Sequence, residues 1–159
     1  MANQSLTIIE DGLRSLDVSR LNEYTNKIQD ISKGFNTMLA PVYLRDFILA
    51  IDITNGMYAN AVKTYNRAES YVKQVEAIAF MENAKDVIKE SGLKDSAEAR
   101  KRYVPMDPEV VLAQDVKARA EAIMVFLRNK LMEFRMAHDD VKKIAYSNDY
   151  NHNTEYEGM

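Results

Sequence analysis

Ala113, Ala120, Leu127, Phe134 and Val141 recur at every seventh position, and Val116, Ile123, Ala137 and Ile144 each follow a member of that series by three. A 3-4 alternation of this length lays one apolar seam along a helix wound to about 3.5 residues per turn. The helix that carries such a seam cannot bury it. A partner helix must come from the same chain or from another copy of it. Lys130 is the one interruption of the pattern, and a single polar residue in a seam can fix register or oligomer state.

Composition narrows the fold to all-α. Only 5 Gly and 3 Pro occur in 159 residues, too few for the turns of an all-β chain, and 47% of the residues are hydrophobic. Ala, Glu, Lys, Leu and Met are abundant, and all are good helix formers. With no Cys there is no disulfide framework, thiolate nucleophile or zinc-thiolate site. The opening MANQSLTIIEDGLRSLD lacks the basic and apolar blocks of a secretory signal, and no apolar run approaches the roughly 18 residues of a membrane span. A cytoplasmic protein with no membrane association is the expectation. The net charge of −3 does not advertise nucleic-acid binding, although a local basic patch can coexist with acidic ends.

The periodicity predicts helices over about 19–39, 42–91, 96–103 and 108–146, with residues up to Leu16 forming one or two frayed turns and 147–159 a disordered polar tail. Leu21, Tyr24, Ile28, Ile31, Phe35 and Met38 step by three and four. This helix is expected to stop near Leu39, because Ala40 precedes Pro41 and is disfavoured in the α region. The next seam runs Leu44, Phe47, Ile51, Thr54, Tyr58, Ala61, Tyr65, Ala68, Val72, Val75 and Ala79, then drifts to Phe80, Ala84, Val87 and Ile88. Gly56 marks a possible bend, and Gly92 is the expected residue just past the helix end. Asp95 with Glu98 reads as a capping box, and Asp107-Pro108 as a cap followed by Pro in the first turn. Together these elements make a long antiparallel, coiled-coil-like helical hairpin with an additional N-terminal helix. Its apolar seams call for homo-oligomerisation.

No catalytic constellation is visible, and no cofactor is implied. His138-Asp139-Asp140 resembles the His-Asp pair of metal phosphohydrolases, but the only other histidine is His152, too few ligands for a metal site. Glu69 and Glu76 lie seven apart with Asn83 next in line. Without Glu-x-x-His pairs they read as a solvated flank or as interhelix charge partners, not as a di-iron site.

The densest basic cluster is Arg100-Lys101-Arg102 with Tyr103 beside it, and Lys85, Lys89 and Lys94 lie upstream. Cations neutralise phosphates and a ring stacks on bases, so the cluster is a candidate single-stranded nucleic acid groove. The plainer reading is a solvated connector whose charges pair with Asp95, Glu98 and Asp107. Arg128, Arg135 and Lys142 recur every seven residues, with Lys143 adjacent. Glu121 and Glu133 nearby suggest an exposed face of salt bridges, while an oligomer would gather such stripes into a basic ring.

The Ser91-Gly92 turn that closes a long helix, the charged connector after it, and a last long helix carrying Val141-Lys142-Lys143-Ile144 resemble the UvsY-type recombination mediators of large tailed phages. The resemblance spans roughly Tyr58 to Tyr146. The chain departs from the family pattern before the turn, where Ile88-Lys89-Glu90 replaces aromatic residues. It departs again at Ala137-His138-Asp139-Asp140, which replaces an aromatic Gly-Phe segment. The resemblance implies a ring-like homo-oligomer that binds single-stranded DNA without hydrolysing a nucleotide. Its partners would be a RecA-like recombinase and a single-strand binding protein in the cytoplasm of the host cell. Lys85, Lys89, Lys94, Arg100, Lys101, Arg102, Tyr103, Lys142 and Lys143 are the candidate nucleic-acid contacts. A phage scaffold, chaperone or virion component would need only the seams, as would an adaptor for a host protein.

Overall fold

The computed structural model describes the backbone of residues 2–156 and the side chains of residues 4–147. Among the described residues every regular element is helical and there is no strand. In chain order the α-helices are α1 (Ala2–Arg14), α2 (Asn22–Lys33), α3 (Ala40–Ile78), α4 (Ala84–Glu90), α5 (Ala97–Tyr103) and α6 (Pro108–Tyr156). The long pair, α3 and α6, packs together as the two seams require. The chain divides into two compact units, one of Met1–Leu16 with Ala59–Val125, the other of Asp17–Tyr58 with Phe126–Met159.

The heptad positions are the buried ones. On α3, Ala40, Phe47, Thr54, Ala61, Ala68 and Val75 are at most 3% exposed, and on α6 Ala113, Ala120, Leu127, Phe134 and Val141 are at most 1%. Burying a side chain the size of Phe contributes about 1.5–3 kcal/mol. Thr54 belongs to this series at no polar cost, because its hydroxyl donates to the Ala50 carbonyl at 2.6 Å.

In the first unit, Ala68, Val72, Val75 and Ala79 meet Val110, Ala113, Val116 and Ala120, with Ile9 of α1 closing the cluster. The segment before Leu16, expected to be frayed turns, is the 13-residue helix α1. Tertiary packing stabilises it: Ile9 is 1% exposed, and Leu6 and Leu13 lie against the same core. Gly12 permits the approach, since a Cβ there would stand 2.8 Å from Thr64 Oγ1.

Polar contacts along this unit pair residues of α3 and the turn beyond it with residues of α6 and its capping Asp107. Glu69 lies 3.9 Å from Lys117, Glu76 accepts from Gln114 at 3.0 Å, and Asn83 donates to Asp107 at 2.8 Å. Glu69 is thus an interhelix charge partner, one of the two readings its spacing allowed, while Glu76 reaches across to a neutral amide.

The helix expected over 42–91 is interrupted, but not at Gly56, which sits inside α3. The break is a π-helical turn over Ala79–Asn83. Such a turn inserts one extra residue into the helical repeat. The buried positions therefore pass from Ala79 to Ala84, five residues on, and then to Ile88. That is the physical cause of the drift in the sequence pattern.

In the second unit, α2 lays Tyr24 edge-on to Phe134 with ring centroids 6.2 Å apart. Lys27 donates to Asp46 at 2.7 Å, which holds its ammonium above the ordinary lysine range despite partial burial. Lys130, the interruption in the α6 seam, reaches Thr25 Oγ1 at 3.2 Å and Glu133 at 2.7 Å. Its long stem covers apolar surface while its ammonium keeps polar partners.

Two expected boundaries are corrected here. The helix predicted over 19–39 ends at Lys33, with Gly34 N–H closing on the Asp30 carbonyl. Met38, placed in its seam, is 87% exposed. Ala40 adopts the α conformation and begins α3 directly from a 3-10 turn over Thr37–Leu39. Pro41 then falls in the first turn, where its missing N–H has no intrahelical acceptor to lose. At the other end α6 runs on to Tyr156, helical through most of the segment expected to be a tail, while residues 157–159 lie outside the described ones.

Candidate nucleic-acid interface

The basic cluster sits in the first unit, where α4 ends, α5 follows and a 3-10 turn (Val104–Met106) leads to α6. Gly92 stops α4. At φ 71 it occupies the left-handed region that favours glycine, and Leu93 N–H returns to the Ile88 carbonyl at 3.3 Å. Ser96 caps α5 by accepting from Ala99 N–H at 3.2 Å. Asp95, read as the capping residue, is instead the ion-pair partner of Arg100.

That pair changes the cluster's charge. Arg100 grips the Asp95 carboxylate with two nitrogens, one of them Nε at 2.7 Å, and lies over the Phe80 ring at 5.9 Å. Its guanidinium holds Asp95 below the ordinary carboxylate range. Arg102 pairs with Glu98 at 2.9 Å. The Tyr103 hydroxyl donates to Asp107 at 3.2 Å, and burial together with that carboxylate pushes its ionisation up. Arg100, Arg102 and Tyr103 therefore have partners within their own unit, as the connector reading anticipated.

Asp107 is the polar centre of this end of the unit. It is 1% exposed, with Oδ1 accepting from Glu109 N–H at 2.9 Å and Val110 N–H at 3.4 Å, and Oδ2 from Asn83 and Tyr103. Burial alone would push its pKa up, but these hydrogen bonds outweigh burial and hold it below the ordinary value.

Lys89, Lys94 and Lys101 are exposed and have no ion-pair or hydrogen-bond partner among the described residues, while Lys85 lies close enough to act electrostatically on Asp95. Lys94 and Arg102 border a cleft of about 470 Å³ whose apolar wall includes Leu93 and Met106. The tip is thus mixed in charge and partly greasy.

The remaining candidates, Lys142 and Lys143, belong to the second unit. Lys143 lies 3.4 Å from Asp140. Lys142, Arg135 and Arg128 are exposed, and none has an ion pair or hydrogen bond among the described residues. The expected lattice of salt bridges does not form around them, because Glu133 is taken by Lys130 and Asp139 stands against His138 at 3.3 Å. Seven-residue spacing sets these three cations about 10.5 Å apart along one face of α6.

A further pair escaped the sequence reading. Lys63 and Arg67, one turn apart on α3, are exposed and without an anionic partner among the described residues. The signal was available, since residues 53–68 contain no Asp or Glu, as 122–132 do not around Arg128.

No protein-family model, no curated protein and no solved structure matches the chain.

Proposed function

We propose that this chain is a non-enzymatic, single-stranded DNA-binding mediator that helps load a RecA-like recombinase, in the manner of the UvsY-type proteins it resembles. The carrying observation is the stripe of Arg128, Arg135 and Lys142, three exposed cations on one helix face whose side chains have no ion pair or hydrogen bond among the described residues. Unpaired cations at regular intervals are suited to phosphates, and binding that releases counterions needs no base readout. Lys89, Lys94 and Lys101 would add contacts at the connector.

The reading also includes an antiparallel pairing of α3 with α6 in the first unit, supported by the order of the contacts 69–117, 76–114 and 83–107. It includes homo-oligomerisation, supported by apolar side chains left exposed on both long helices, among them Ile48, Leu49, Val111, Leu112 and Met136. Several copies would convert weak individual contacts into useful affinity. Among the described residues no helix is long and apolar enough to cross a membrane, and action in the host cytoplasm is part of the proposal.

Titration of a fluorescent oligothymidylate at increasing salt tests it. Each phosphate contact to a single strand contributes about 0.7 to the slope of log affinity against log salt. Replacing Arg128, Arg135 and Lys142 together by Gln should flatten that slope by about 2 with helicity unchanged. No binding by the wild type at micromolar concentration in low salt would end this reading.

A second reading is favoured by the pairing of Arg100 with Asp95 and of Arg102 with Glu98, which leaves the connector nearly neutral. The chain would then be a phage structural or assembly protein, with Leu93 and Met106, 66% and 67% exposed, serving as contacts. Stoichiometric presence in purified particles would favour it over the mediator.

A further inference from the structure

The first unit carries a groove of about 660 Å³ between α1 and the part of α3 beyond Ala59. Its floor is aliphatic and aromatic, with Ile9 at 1% and Tyr71 at 5% exposure, while Ile8 on the rim is 51% exposed, a costly place for a large apolar side chain. Val62 continues the apolar wall, and Lys63 and Arg67 stand beside it.

None of the residues lining the groove is an Asp or Glu. Several cations on the other faces of this unit have partners: Lys73 and Lys117 at Glu69, Arg119 at Asp115 and Glu10, Arg100 at Asp95. Lys63 and Arg67 instead face each other one turn apart, a spacing at which like charges repel. A groove with an apolar floor and two uncompensated cations at its edge is complementary to a segment with the opposite arrangement.

We propose that this groove receives an acidic peptide segment of a partner protein, an aliphatic or aromatic anchor filling the space between Ile8 and Tyr71 and carboxylates pairing with Lys63 and Arg67. Nucleic acid fits less well, because Tyr71 is 5% exposed and offers no ring face on which a base can stack. The anchor supplies burial and the charges supply orientation, a division found in peptide grooves generally.

Selection of a displayed random dodecapeptide library on the full chain tests this directly. The selected peptides should be acidic with one or two large apolar residues. Their binding should fall at least tenfold with Lys63→Glu and Arg67→Glu combined, and also with Ile8→Ser, while Lys89→Gln leaves it unchanged. Circular dichroism of each variant establishes that the helices persist. Methyl shift changes on binding should fall on Ile8, Ile9 and Val62. Absence of enriched peptides, peptides without acidic residues, equal binding to the charge-reversed chain, or displacement by an oligonucleotide at this groove would each overturn the proposal. These outcomes are independent of the α6 stripe, whose Gln variant should bind the selected peptides normally.

Discussion

The side-chain amide of Asn83 donates to the buried Asp107 carboxylate at 2.8 Å, joining the π-helical turn after α3 to the start of α6. One carboxylate thereby caps a 49-residue helix, anchors the turn that re-phases its partner, and holds the Tyr103 hydroxyl. Truncating it strands several groups at once. Asp107→Ala should lower unfolding free energy by about 3 kcal/mol, the combined scale of a lost cap and unsatisfied buried partners. Urea denaturation at pH 7 measures it, and a change below 0.5 kcal/mol would mean that the network contributes little.

The same carboxylate predicts an acid dependence. Its folded pKa lies below the ordinary Asp value of about 3.9, so the folded state favours the charged form. Its contribution is fully present above that unfolded value and is lost as pH falls through the folded one. Asp107→Asn should therefore differ from the wild type at pH 7, and the difference should narrow progressively below about pH 4. Parallel urea titrations at several pH values would reveal a gap that stays constant if Asp107 is not responsible.

Gly12 lies at a close approach of α1 to α3. A methyl there would meet Thr64 Oγ1 at 2.8 Å, and that hydroxyl is already committed to the Asn60 carbonyl at 2.9 Å. Gly12→Ala would gain about 1 kcal/mol in helix propensity, but overpacking of this kind costs about 1–3 kcal/mol, so net destabilisation is expected. Adding Thr64→Ala should remove the clash and restore stability, as thermal unfolding of the single and double variants would report.

Lys27 and Asp46 form a partly buried pair, and the lysine also lies 5.5 Å from the Tyr24 ring centroid. A double-mutant cycle of Lys27→Met and Asp46→Asn should give a coupling energy of about 1 kcal/mol. The lysine's pKa is raised by Asp46, so the contribution is present below the unfolded lysine value and lost as pH rises through the folded one. Coupling that persists unchanged at a pH high enough to deprotonate the folded-state lysine would contradict this assignment.

The seams were legible because a seven-residue repeat leaves few alternatives: Phe47 and Phe134, both members of it, are 0% exposed. The stop at Gly92 was legible too, since a glycine after a long helix supplies the left-handed residue needed to close it. Pro41 misled, because the rule that the residue before proline avoids the α region is a preference that a helix start can override. For the candidate site, the sequence gathered the cations and offered Asp95, Glu98 and Asp107 as partners beside a nucleic-acid reading, without deciding between the two. Arg102 has Glu98 four residues away on α5, a spacing that a helix closes, whereas Arg100 meets Asp95 five residues away only through the turn geometry before α5. Arg128, Arg135 and Lys142 went the other way, because Lys130 claims Glu133.

By itself the sequence determined that this protein is helical and which stripe of each long helix lies inward, since periodicity and propensity are local properties of the chain. Tertiary structure alone decided that residues 2–14 form a packed helix, that the long helix takes one extra residue at 79–83, and which charges remain without partners. Those outcomes depend on what stands across the interface from each residue, and neighbours distant in the chain are not written in its local pattern.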